Sequence, residues 1–145
     1  MNQKSTEAIH RINYLTSELD ALYHTMSQKL GISDSVSRIL YTIYDSGNSC
    51  PLCDVCKKTG ISKQTVNSAI RSLEADGVLF LVPYEGRSKK IVLTDKGEEL
   101  VRDTVARLFA AEVRVFAGWS AEETDCYLHL IEKFVTGFRK EAEAL

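Results

Sequence analysis

Proline is nearly missing from this chain, with two in 145 residues. Extended linkers and proline-rich recognition tracts are therefore excluded. Long hydrophobic runs are missing too: no apolar stretch approaches the roughly 20 residues that cross a bilayer. The opening Met1-Asn2-Gln3-Lys4-Ser5 is polar and has no apolar leader core. A cytoplasmic protein with no membrane partner is the expectation. There are only four cysteines, and three of them (Cys50, Cys53 and Cys56, with Cys126 apart) fall within seven residues. A disulfide scaffold would spread them along the chain. There is no internal repeat and no low-complexity tract. Paired catalytic carboxylates, a phosphate-cradling glycine loop and a nucleophile beside a base are all absent, so neither an enzyme nor a cofactor is expected.

Overall positive charge is also lacking. The formal net charge is −2, which by itself argues against a nucleic-acid binder. Its distribution argues the other way. Residues 57–90 hold seven basic side chains (Lys57, Lys58, Lys63, Arg71, Arg87, Lys89, Lys90) and three acidic ones (Glu74, Asp76, Glu85), while the remainder holds 11 basic and 17 acidic. A positive surface of +4 on an otherwise acidic body suits a phosphate backbone, because the field near a site outweighs the total.

What the chain does have is a hydrophobic content of 44%, enough for a packed core. Residues 5–30 read as a long helix, with Ile9, Ile12, Leu15, Leu19, Leu22, Tyr23, Met26 and Leu30 on one stripe and Gly31 ending it. Ser33 caps a second helix. A turn at residues 46–49 leads to a short helix with Pro51 in its first turn, broken by Gly60. Ser62 caps the next helix, which ends near Gly77. Residues 78–82 and 89–93 read as strands of a hairpin around a turn at 83–88. From Thr94 a long helix is expected to about Ala117. Ser120-Ala121-Glu122-Glu123 has capping-box spacing and opens the last helix, where Tyr127, Leu130, Ile131, Phe134, Val135 and Phe138 share a face.

The informative stretch is residues 52–74, two helices meeting at a tight turn. Cys56 is the expected small residue at the helix–helix contact, and Ile61 the plug of the turn. The second helix divides in two. Val66, Ala69, Ile70 and Leu73 face the core. Gln64, Asn67, Ser68 and Arg71 occupy the opposite arc. Amides pair with adenine edges, Arg with guanine, and Ser with bases or phosphate. Lys63 and Thr65 flank that arc near the helix N-terminus, where phosphates bind. The hairpin that follows carries Glu85-Gly86-Arg87 at its tip, Ser88 at the end of the turn and Lys89 and Lys90 on the returning strand, a thin basic loop that fits a minor groove.

The stretch Ser62-Lys63-Gln64-Thr65-Val66-Asn67, then Leu73-Glu74-Ala75-Asp76-Gly77, then Glu85 through Gly97 resembles the MarR family of bacterial regulators. Glu85 stands where that family usually has Asp, and Arg87 takes the arginine position. The resemblance implies a mainly helical fold class with a small β-hairpin wing. It implies a winged helix-turn-helix domain over residues 32–94, and a helical dimerisation region over residues 1–31 and 95–145. It also implies a homodimer, in which the first and last helices pair, on a pseudo-palindromic operator in double-stranded DNA. Regulation by a small-molecule effector or by oxidation follows from it too. The candidate DNA contacts are Ser62, Lys63, Gln64, Thr65, Asn67, Ser68, Arg71, Arg87, Ser88 and Lys89. The function expected is a transcription regulator, read as a repressor. A winged-helix protein-interaction module and a thiol-redox-sensing regulator are the alternatives.

The run Cys50-x-x-Cys53-x-x-Cys56 invites a metal or redox reading. On a single helix Cys50 and Cys56 would lie about 9 Å apart along the axis, too far for shared zinc ligation at roughly 2.3 Å per bond; only a Cys50 that precedes the helix could bend back. Packing thiols are the plainer reading, and no metal is expected. His10, His24 and His129 are scattered singly.

Overall fold

The structure, a computed structural model, describes residues 2–145. The chain divides into two compact units, Met1–Leu108 and Phe109–Leu145. In the first unit the order is α1 (Gln3–Lys29), α2 (Asp34–Asp45), β1 (Ser49–Pro51), α3 (Leu52–Thr59), α4 (Lys63–Ala75), β2 (Leu79–Pro83), β3 (Lys89–Leu93) and α5 (Asp95–Asp103). Helix α6 (Val105–Phe116) runs across the division, and α7 (Ala121–Glu143) completes the second unit.

Local chemistry sets the helix boundaries. Asn2 caps α1, its side chain accepting from Lys4 N at 3.1 Å. Gly31 follows the helix at φ +73°, a left-handed conformation that glycine adopts without steric cost. Ser33 caps α2, with Val36 N 3.3 Å from its hydroxyl. Ile39, Leu40 and Ile43 of α2 are fully buried. Around them gather Val55 of α3, Val66, Ile70 and Leu73 of α4, Leu79 and Ile91 of the sheet, and Val101 and Val105. Helix α1 lies against α2 and contributes only Ser27 to the buried set. Its Ile9, Ile12, Leu15, Leu19, Leu22 and Tyr23 stay 37–55% exposed.

The sheet has three strands in the order β1-β3-β2, all antiparallel. The hairpin β2–β3 matches the sequence expectation, with Leu81 opposite Ile91. Strand β1 was not expected. It is three residues long, too short for a periodic signal, and exists because the free edge of β3 accepts it. Cys50 then pairs with Ile91 and turns its side chain into the core at 2% exposure. Pro51, which has no N–H to offer, ends the strand.

The expected helix over 94–117 is broken. Thr104 has φ −123° and ψ −93°, and separates α5 from α6. Its hydroxyl donates to the Leu100 carbonyl at 2.5 Å, a bond that Thr25 and Thr42 also make inside continuous helices, so the break is in the Thr104 backbone itself. No proline or glycine marks the place. In the second unit, Ser120 and Glu123 form both capping-box bonds, at 3.1 and 2.8 Å. No residue of α7 is buried within the chain. Among the described residues no helix is long and apolar enough to cross a membrane.

Candidate nucleic-acid interface

A helix can enter a DNA groove only if it is braced from behind and bare in front. Helix α4 meets both conditions. Val66, Ile70 and Leu73 are 0–6% exposed and fix its inner face. Gln64, Ser68 and Arg71 are exposed on the other side, with Asn67 half-buried at the margin. Four hydrogen-bonding side chains, none of them a carboxylate, therefore lie on the arc away from the core.

The turn before α4 is held in three places. Gly60 adopts φ +64°, which lets the chain reverse. Thr59 donates to the Val55 carbonyl at 2.6 Å and accepts from Ile61 N at 3.3 Å. Ser62 caps α4, accepting from Thr65 N at 3.2 Å while its own hydroxyl donates to Thr65 Oγ1 at 2.8 Å. The Ser62 proton is thus committed. The proton of Thr65 remains free to donate, beside the N-terminal turn whose N–H groups favour an anion.

The side chain at the helix–helix contact differs from expectation. Val55 is the fully buried residue of α3, whereas Cys56 is only half-buried at the edge of the core. The one-residue displacement follows from α3 beginning at Leu52, immediately after β1. Ile61 packs against the core at the turn, as expected.

The hairpin tip is compact. Tyr84 N bonds the Ser88 carbonyl at 3.0 Å, and Ser88 N bonds the Glu85 carbonyl at 3.1 Å. The Ser88 hydroxyl donates to the same Glu85 carbonyl. Gly86, at φ +62°, turns the chain between them. Ser88 thus shapes the tip, and the Glu85 main chain carries the bracing. Arg87 and Lys89 project from this frame, both exposed. Among the described residues, Arg71, Arg87 and Lys89 belong to no ion pair, so their charges are available to a partner.

The C-terminus of α4 is fastened to the start of α5. Thr94 Oγ1 donates within 2.5 Å of the Gly77 carbonyl, and Thr94 N bonds the Val78 carbonyl at 3.1 Å. Lys96 Nζ reaches the Asp76 carbonyl at 2.6 Å. Gly97 lies so close that a Cβ there would stand 2.0 Å from the Val78 oxygen.

Residues 30–87, which contain the helix-turn-helix and most of the hairpin, match the model of the MarR family. Over that segment the chain is similar to MarR-family proteins. The MarR-family regulator NMB1585 from Neisseria meningitidis superposes with a TM-score of 0.78, covering 99% of this chain and 98% of that one at 19% identity. The MepR–DNA complex of S. aureus gives 0.67 over 89% and 96% at 18% identity. Bordetella bronchiseptica BpsR, whose DNA binding is regulated by 6-hydroxynicotinic acid, gives 0.64 over 86% and 98% at 23% identity. No curated protein matches the chain at a significant level. The MarR winged-helix fold thus extends beyond the matched segment.

The three clustered cysteines of this winged-helix domain do not share one helix. Cys50 is in β1, and Cys53 and Cys56 are in α3. Burial, and after it the neighbouring Asp54 carboxylate, pushes the Cys50 thiol up to about 11. A thiol held neutral in this way is a poor nucleophile and a poor metal ligand. Cys53 is exposed, its Sγ 3.7 Å from the Asp54 carboxylate. Among the described residues no group of three or more His, Cys, Asp or Glu side chains is placed to hold a metal ion. His24 has a partner that its sequence setting did not show: its Nδ1 lies 2.7 Å from the Asp34 carboxylate at the start of α2.

Proposed function

We propose that the protein is a dimeric, sequence-specific transcription regulator that acts in the cytoplasm as a repressor and has no catalytic activity. One observation carries the reading. The bare arc of α4, formed by Gln64, Asn67, Ser68 and Arg71, is rich in hydrogen-bonding groups and free of carboxylates, and is braced by Val66, Ile70 and Leu73. In this reading Gln64, Asn67, Ser68 and Arg71 address base edges in the major groove. Lys63, Thr65 and Lys89 hold phosphates, and Ser62 and Ser88 set the frames on which these groups stand. Arg87 enters the adjacent minor groove. The structural likeness to MepR in its DNA complex supports this placement.

The dimer follows from apolar side chains that the chain leaves exposed on α1 and, separately, on α7. Large exposed apolar patches mark association surfaces. Two copies would present two α4 helices to half-sites about one DNA turn apart. A small ligand acting on the dimer would change that spacing; the regulation of BpsR by 6-hydroxynicotinic acid is a parallel.

Selection of bound sites from random duplex DNA tests the proposal. The expected product is an inverted repeat, with affinity that falls steeply as salt rises. Recovery of unrelated sequences, with binding indifferent to salt, would leave a protein-interaction module as the better reading.

A further inference from the structure

The last free carbonyls of a helix carry a partial negative charge, about half an elementary charge, which a cation in the last turn ordinarily offsets. Helix α4 has no basic residue in its last turn. It has acids there instead, Glu74 near the end and Asp76 at the C-cap, and these add to the negative charge. The cation comes from another element. Lys96, in the first turn of α5, sets its Nζ 2.6 Å from the Asp76 carbonyl. Among the described residues no ion pair draws that ammonium group elsewhere.

Two further bonds serve the same joint. Thr94 donates its hydroxyl to the Gly77 carbonyl and its N–H to the Val78 carbonyl. Three successive carbonyls, those of Asp76, Gly77 and Val78, are thus held from the start of α5. Thr94 follows directly on Leu93, so the joint ties the end of α4 to the strand that carries Lys89 and Lys90. Val66, Ile70 and Leu73 brace α4 from behind, but apolar contact has no direction. Hydrogen bonds do, and these set where the helix end lies relative to the hairpin. Arg71 stands only about a turn and a half before Asp76. The phosphate-binding turn at Ser62 is about 20 Å from Asp76 along the axis, beyond the roughly 8 Å over which charges act at physiological salt.

We propose that Lys96 is a positioning residue for DNA recognition. Its ammonium group holds the end of α4 in place against the hairpin, so that Arg71 and Arg87 meet one duplex together, and it makes no phosphate contact of its own. The inference rests on the DNA-binding reading above and adds to it a residue outside the helix and the hairpin that touch DNA.

Lys96→Met keeps the aliphatic stem and removes the charge, whereas Lys96→Arg keeps the charge. Amide hydrogen exchange on the full-length protein, without DNA, reads the joint. In Lys96→Met the amides of Asp76, Gly77 and Val78 should exchange about two- to fivefold faster than in the wild type. In Lys96→Arg they should stay near the wild type. Binding to a selected and to a scrambled duplex is then followed by fluorescence anisotropy over a salt series. Lys96→Met should weaken the selected duplex by a similar factor and leave both the scrambled duplex and the salt slope unchanged. Lys96→Arg should restore the preference. An equal loss on both duplexes, with a slope lower by about one, would make Lys96 a phosphate contact and overturn the proposal. Unaltered exchange in Lys96→Met overturns it as well. A wild type that selects no sequence sinks the DNA-binding reading and this proposal together, whereas a Lys96→Met variant that selects as well as the wild type sinks this proposal alone.

Discussion

Arg71 and Lys89 are both exposed cations without an ion pair among the described residues, yet their settings give them different work. Arg71 is on the bare arc of α4, and Arg71→Ala should cost about 1–3 kcal/mol on a selected site and relax the preference at one base pair. Lys89 begins β3 beside the hairpin tip, and Lys89→Ala should weaken all duplexes alike while lowering the salt slope by about one. Fluorescence anisotropy over a salt series on matched and scrambled duplexes separates the two. Cys50 gives a prediction of another kind. Its neutral thiol is favoured by burial, so the stability it lends is complete below its ordinary value of 9.0 and is lost as pH rises through about 11. Between about pH 8 and pH 11, urea unfolding should lose about 2 kcal/mol more in the wild type than in Cys50→Ala. The exposed arc was legible in the sequence because Val66, Ile70 and Leu73 recur at helical spacing and leave Gln64 and Arg71 opposite. The environment of Cys50 was not, since its neighbours depend on a strand pairing about 40 residues away along the chain.

Helix starts were the most readable elements, because a cap is written in adjacent residues. Ser33, Ser62 and Ser120 each hold the bond their spacing implied. Breaks and edge strands were less readable. Thr104 parts α5 from α6 without proline or glycine, and Thr25 and Thr42 make the same side-chain bond inside unbroken helices, so nothing in the residue type marks the break. β1 is a strand only because β3 lies beside it. The junction of α5 with the α4–β2 turn carries a prediction of its own. At Gly97 a methyl group would be forced against the Val78 carbonyl, a backbone atom that cannot step aside. Gly97→Ala should therefore destabilise the fold by about 2–3 kcal/mol, seen as a lower urea midpoint. DNA affinity should fall with it, because the same junction steadies both α4 and the hairpin. An unchanged midpoint would show that α5 can shift without cost.

For the molecule as a whole, the decisive quantity is the number of copies. Leu19 of α1 and Phe134 of α7 are 51% and 48% exposed within one chain, more apolar surface than a monomer ordinarily leaves to water. Analytical ultracentrifugation should show a dimer for the wild type. Leu19→Asp and Phe134→Asp should each shift it toward monomer and weaken binding to a two-half-site duplex more than to a single half-site. The stripes themselves were readable from their period, whereas the way two copies meet was not, because that geometry belongs to a pair of chains. The thiols offer a practical consequence. Cys53 is exposed in one compact unit and Cys126 in the other, while Cys50 is shut away in β1. A maleimide fluorophore pair should therefore attach chiefly at these two native points once the half-buried Cys56 is replaced by alanine. Energy transfer between the dyes would then report whether added duplex changes the distance between the two labelled sites.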